Sequence, residues 1–102
     1  MDIQLKKGVL DLCVLGTLEH EDNYGYNIYR LINDALGISE STIYPILRKM
    51  VKQGLLDTTL QDSPDGPPRK YFTITDAGVK QLQTLRASWQ SFVKRVERFI
   101  EE

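Results

Sequence analysis

The sequence predicts a mainly α, α+β architecture of three helices, a β-hairpin and a long terminal helix. Three observations predict it. Apolar residues recur at helical spacing in three segments before residue 54. A turn rich in Pro and Gly divides two β-prone runs between residues 55 and 75. One unbroken helical pattern fills most of the remainder. The 102 residues amount to about one domain. A content of 41% apolar and 26% charged residues is that of a folded globular chain, not a disordered one.

The first helix is expected from about Leu5 to Glu19. There Val9, Leu10, Leu12, Cys13, Val14, Leu15 and Leu18 require burial on more than one side. His20-Glu21-Asp22-Asn23 is a polar break. The second helix should run from about Tyr24 to Ala35, with Tyr24, Ile28, Leu31, Ile32 and Ala35 as its apolar stripe and Gly37 as a left-handed stop. Ser39 or Ser41 can cap a third helix, whose inner face is Ile43, Ile46, Leu47 and Met50 and which Gly54 ends. Pro45 lacks the N–H that would bond the Ser41 carbonyl. Either the helix starts near Ser41 and loses little, or its first turn is distorted.

Leu55 to Leu60 reads as a short strand with Leu56, Thr58 and Leu60 on one face. Gln61 to Pro68, with three prolines and a glycine, reads as a turn-rich tip. In the second strand, Arg69 to Thr75, Phe72 and Ile74 point inward and Arg69, Tyr71 and Thr73 the other way. Thr75 caps a last helix from about Asp76 to Ile100. Residues 1–75 are therefore expected to form one domain and residues 76–102 an appended helix.

Two closely spaced helices followed at once by a hairpin describe a winged helix-turn-helix, in which the second helix of the pair enters the DNA major groove. A net charge of minus one gives no support for nucleic acid, but its distribution does. Residues 1–23 set Lys6 and Lys7 against Asp2, Asp11, Glu19, Glu21 and Asp22, a net of minus three. Residues 39–54 set Arg48, Lys49 and Lys52 against Glu40, a net of plus two. Ser41, Thr42, Pro45, Arg48, Lys49 and Lys52 fall broadly on the outer side of the third helix. Hydroxyls and amides at its start suit phosphate oxygens, and Arg48 or Lys49 can reach a guanine edge. Asp62 and Asp65 make the hairpin tip acidic, which shifts the expected backbone contact to Arg69 and Lys70. Tyr24 has two readings: with Tyr26 it can hydrogen-bond phosphates from the start of the second helix, or, on the apolar stripe, it is a core residue with its hydroxyl at the edge, which its spacing favours. Tyr26, off the stripe, is a backbone-contact candidate. The full set of candidate DNA-contacting residues is Tyr26, Ser41, Thr42, Tyr44, Arg48, Lys49, Lys52, Arg69 and Lys70.

The residues also carry a family resemblance. Lys7-Gly8-Val9-Leu10-Asp11-Leu12, Tyr24-Gly25-Tyr26-Asn27-Ile28 and Ser41-Thr42-Ile43-Tyr44-Pro45-Ile46-Leu47 occur in that order. Gly54-Leu55-Leu56 and Arg69-Lys70-Tyr71-Phe72-Thr73-Ile74-Thr75-Asp76-Ala77-Gly78 follow. The set resembles the PadR family of regulators over residues 7–78, and the single helix after it is similar to the family's short members. The resemblance implies a winged-helix homodimer that represses genes, with the third helix in the major groove of a double-stranded operator and the wing near the backbone.

In the last helix Leu82, Leu85, Trp89, Phe92, Val96 and Phe99 repeat at spacings of three and four, the signature of an a/d seam. A helix of this length spans about 38 Å, more than one small domain needs to cover itself. These six residues are the candidate dimer interface; the alternative is a helix folded back on its own domain. Short relatives are understood to bind flat aromatic compounds between subunits, with a tryptophan stacked on the ligand. That likeness makes Trp89 a candidate ligand-binding residue for a small planar aromatic effector, with plain interface packing as its other reading.

Other function classes fare badly. One histidine and one cysteine cannot build the usual zinc sites, and no Gly-rich phosphate loop or nucleophile–base arrangement is present, so no enzyme, metal or cofactor is expected. Cys13 reads as a small buried hydrophobe and His20 as a solvated loop residue. The longest apolar run, Leu12 to Leu18, is too short for a bilayer, and Met1 to Lys7 shows no signal pattern. No membrane partner and a cytoplasmic location are expected. The remaining alternative is a winged helix that contacts only other proteins.

Overall fold

In the computed structural model the backbone is described over residues 3–101 and the side chains over residues 8–101. The elements run α1 (Ile3–Thr17), β1 (Asn23–Tyr24), α2 (Gly25–Leu36), α3 (Glu40–Lys52), β2 (Leu56–Ser63), β3 (Gly66–Ile74) and α4 (Asp76–Ile100). The strands form one antiparallel sheet in the order β1-β3-β2. This is the helical architecture with a small sheet that the patterning predicts.

One core joins the helices and the hairpin. α1 supplies Leu10, Val14, Leu15 and Leu18, α2 Ile28 and Ile32, and α3 Ile43, Leu47 and Met50. Leu56, Phe72 and Leu82 close it from β2, β3 and α4. The stripe expected on α2 is narrower than its spacing suggests, because Leu31 is 49% exposed and Ala35 is also exposed. Helical spacing admits both residues, but α1 and α3 cover only the Ile28–Ile32 edge.

Local chemistry sets the joints. Gly37 ends α2 at φ 68°, and its N–H donates to the Asn33 carbonyl. Gly54, at φ 78°, ends α3 in a Schellman arrangement: its N–H donates to Val51 O and that of Leu55 to Met50 O. Thr75 Oγ1 accepts from the Gly78 N–H at 3.0 Å and donates to the Gly54 carbonyl at 2.7 Å, so one hydroxyl ties the end of α3 to the start of α4. A side chain at Gly78 would run into the Leu55 carbonyl, which explains bare backbone there. α3 begins at Glu40 with Ser39 as N-cap, so Pro45 lies past its first turn and the helix continues through it.

The sheet departs from expectation in two ways. Asn23 belongs to a third strand instead of a polar break, paired opposite Phe72, with Tyr24 opposite Tyr71. Asn23 is buried and its Oδ1 accepts from the Tyr24 N–H and from Asn27 Nδ2, so the buried amide oxygen is satisfied. The hairpin is also longer than predicted. Its turn is only Pro64–Asp65, and the strands continue through most of the segment expected to be a tip. Pairing slips between Gln61–Arg69 and Ser63–Gly66, leaving one extra residue on β3 where Pro67 and Pro68 sit. Leu60, beyond the core's edge, is 71% exposed.

α4 divides along its length. Leu82 is 1% exposed and buried in its own chain, a correction to its place in the expected intersubunit set. Leu85, Trp89 and Phe92 are half-buried beside α1, whereas Val96 is exposed and Phe99 is 88% exposed. The molecule is accordingly elongated, 53 Å in its longest extent against 28 and 22 Å.

Candidate nucleic-acid interface

α3 turns its buried edge, Ile43, Leu47 and Met50, to the core. At about 100° per residue, Ser41, Pro45 and Lys52 then form the outward ridge, Tyr44 and Arg48 lean to one flank, and Thr42 and Lys49 to the other. Arg48, Lys49 and Lys52 are all exposed.

The flank toward the wing is an open cleft of about 310 Å³ shared by Tyr24, Tyr26, Tyr44, Arg48, Arg69 and Lys70. Three elements build it. β1 presents Tyr24, whose ring packs on Tyr71 of β3 at 5.6 Å between centroids. The Arg69 guanidinium lies over the same Tyr24 ring, 4.7 Å from its centroid, so a cation–π contact fixes a side chain that would otherwise sweep through solvent. Gly25 lets α2 begin against α3, because a Cβ there would sit 3.2 Å from Tyr44 Cε1 and 3.4 Å from Phe72. Burial, and then the Glu40 carboxylate, push the Tyr44 hydroxyl above its ordinary value. It stays protonated and can donate to an anionic oxygen.

The opposite flank meets α1. There Lys49 Nζ donates to both carboxylate oxygens of Asp11, at 3.0 and 2.9 Å. Ser41 and Thr42 line the same groove, and their hydroxyls lie 2.9 and 3.2 Å from Ser39 Oγ.

Of the residues expected to contact DNA, Tyr26, Tyr44, Arg48, Arg69 and Lys70 thus share one cleft. Thr42 and Lys49 lie on the other flank, with Ser41 of the outward ridge lining the same groove, and Lys52 stands on that ridge near the C-terminal end of α3, outside both clefts. Arg69 and Lys70 sit in mid-strand, not at the foot of a loop. Tyr24, assigned to the core from its spacing, is a half-buried wall of the cleft. Tyr71 and Asp11 are not among the candidate residues that the sequence offers for the site. Tyr71 matters only through its pairing with a two-residue strand, and Asp11 only through a partner 38 residues away.

Elsewhere the chemistry is quiet. Among the described residues no group of three or more His, Cys, Asp or Glu is arranged to hold a metal ion, and no helix is long and apolar enough to cross a membrane. Burial pushes the Cys13 thiol up, away from the thiolate form.

Comparison with known proteins agrees with this geometry. Residues 14–84 match the model of the transcriptional regulator PadR-like family. The chain is 38% identical to a crystallised PadR-like transcriptional regulator from Bacillus cereus, with a TM-score of 0.85 over 97% of this chain and 98% of that one. A Streptococcus transcriptional regulator is 33% identical, with a TM-score of 0.87 over 98% of this chain and all of its own. The negative transcriptional regulator PadR of Bacillus subtilis is 32% identical over 72% of this chain, which spans only 43% of that protein's length. With the family model covering more than half of the sequence and full-length structural agreement beside it, the chain belongs to the PadR-like family of transcriptional regulators, proteins that act through DNA.

Proposed function

We propose that the chain works as a homodimeric repressor, binding a double-stranded operator with α3 in the major groove and the wing beside the backbone. The observation that carries this reading is the cleft in which Arg48 from α3 meets Arg69 and Lys70 from β3 among three tyrosine rings. Cations that converge from separate elements onto one open surface suit phosphates, and hydroxyl groups beside them add uncharged donors. Repression follows the B. subtilis relative, a negative regulator. Such a protein would work in the cytoplasm. Residues 1–75 would serve DNA binding and residues 76–102 dimerisation, with the first turns of α4 shared between them.

The dimer rests on α4. Val96 and Phe99 are exposed and continue the face of Leu85, Trp89 and Phe92 along the outer half of α4, and an apolar seam in water gains from a two-fold copy. Beside it a groove of about 270 Å³ runs between α1 and α4, with Val9, Leu12, Trp89 and Phe92 among its walls. Its apolar, aromatic lining favours a planar aromatic effector that releases the operator, and quenching of Trp89 fluorescence by planar cationic drugs or phenolic acids would report it.

A gel-shift titration against the DNA upstream of the protein's own gene, repeated across salt concentrations, tests the main reading. Arg48→Ala and Arg69→Ala should each weaken binding. A lost base contact costs about 1–3 kcal/mol for the cognate sequence alone. A lost phosphate contact lowers affinity for every sequence and flattens the salt dependence by about 0.9. A protein-contact module would give no salt-dependent, sequence-selective shift, and that outcome would retire the proposal.

A further inference from the structure

The two flanks of α3 differ in charge although both carry cations. Toward the wing, Arg48, Arg69 and Lys70 make no ion pair with another described residue. Toward α1, the Lys49 ammonium is gripped by both oxygens of the Asp11 carboxylate. The pair is partly shielded: the Asp11 side chain is 23% exposed and that of Lys49 43%. It also bridges two helices, so neither group is free to swing away without giving up a charge-assisted contact. Asp11 and Lys49 both line the groove beside Ser41 and Thr42, so a phosphate that approached Lys49 from there would meet the carboxylate as well as the ammonium.

We propose that Asp11 is a built-in restraint on DNA binding: by holding Lys49 it cancels that cation on the α1-side flank of α3 and biases phosphate binding toward the wing-side cleft. The inference rests on α3 being the DNA-facing helix. Its physical consequence concerns specificity. Sequence-independent affinity grows with every phosphate that a free cation can neutralise, and each such contact steepens the salt dependence. A cation cancelled from within the same chain adds nothing to that background. The protein therefore keeps a lysine on its recognition surface without the indiscriminate attraction that lysine would bring, and the ratio of operator to bulk-DNA affinity rises accordingly.

The test does not require the operator. Fluorescence anisotropy with a labelled mixed-sequence duplex about two helical turns long, titrated at several salt concentrations, reads non-specific affinity directly. Asp11→Asn, nearly the same shape without the charge, should raise that affinity about three- to tenfold at low salt and steepen the log–log salt slope by about 0.9. Asp11→Ser, which removes the carboxylate by a different route, should do the same. The double variant Asp11→Asn with Lys49→Met restores the zero net charge of the pair and should return to the parent affinity and slope. Circular dichroism fixes the folded fraction of each variant. Arg48→Ala runs alongside as the reference for the binding face. If Arg48→Ala weakens binding while Asp11→Asn leaves it unchanged or weakens it too, Asp11 is not a restraint but a neutral or supporting partner of Lys49, and the inference falls. If Arg48→Ala has no effect, the binding face itself is misplaced and the inference falls with it.

Discussion

Within α4, the turns from Asp76 to Leu85 press Gly78 and Leu82 into the domain, whereas those from Ser88 to Ile100 leave Val96, Phe99 and Ile100 facing outward. The seam Leu82, Leu85, Trp89, Phe92, Val96, Phe99 keeps the same spacing through both. Periodicity therefore identifies the apolar face of a helix but not what covers it. That depends on what packs beside each turn. α1 runs antiparallel to α4: Glu19, just beyond the C-terminal end of α1, meets Arg86, and Gly8 and Val9 share a groove with Phe92 and Arg95. Leu82 joins the core of the domain, whereas Val96 and Phe99 stay exposed. Between the two regimes sits Arg86, whose Nη2 donates to Glu19 Oε1 at 2.7 Å and fastens the helix at its middle to the segment after α1.

The largest expected effect tests the inner half. Leu82→Ala opens a hole among fully buried side chains and should lower the unfolding free energy by about 2–5 kcal/mol in denaturant melts. An outer-half change should behave in the opposite sense. Phe99→Ala should leave the stability of dilute protein within about 0.5 kcal/mol while weakening self-association by about 1–2 kcal/mol, read by sedimentation across a concentration series. Should Phe99→Ala lower the melt of dilute protein as much as Leu82→Ala does, the division of α4 into two halves collapses. The smallest effect belongs to the fastening between them. The Arg86 hydrogen bond holds the Glu19 carboxyl below the usual carboxylate range. Its contribution is thus fully present above that range and is lost as pH falls through its own lowered value. The stability gap between the parent and Glu19→Gln should be slight at neutral pH and should vanish on acidification. A gap that persists in acid would mean that Arg86 and Glu19 matter through packing, not charge.

Elements set by local rules could be read ahead of the structure. The α3 face of Ile43, Leu47 and Met50, the left-handed stops at Gly37 and Gly54, and the Thr75 cap each depend on residues within one or two turns. What escaped depends on distance along the chain. β1 is two residues long, too short for any alternation to reveal, and exists because Phe72 and Tyr71 offer it an edge. Without β1, Tyr24 looks like the first residue of a helical stripe; with it, the ring becomes the platform for Arg69. Leu31 and Leu82 were misjudged for one shared reason, since spacing cannot say what packs beside each turn. The cations of the candidate site were legible as residues, yet the pairing that separates Lys49 from Arg48 is written nowhere near either of them.

The slipped pairing near the tip of the hairpin has a bearing on how copies of this protein meet. β1 flanks β3 only at Tyr71 and Phe72, so the outer half of that strand has a naked border, the kind of border onto which a stranger's strand can zip. Because neighbouring residues of a strand turn their N–H groups to opposite edges, the pair of prolines denies such a visitor one of the hydrogens it would grip, and the misaligned residue bends the ribbon off the straight course that stacking demands. Projecting arms guarded in this manner can reach outward at cellular concentrations without recruiting one another into fibres.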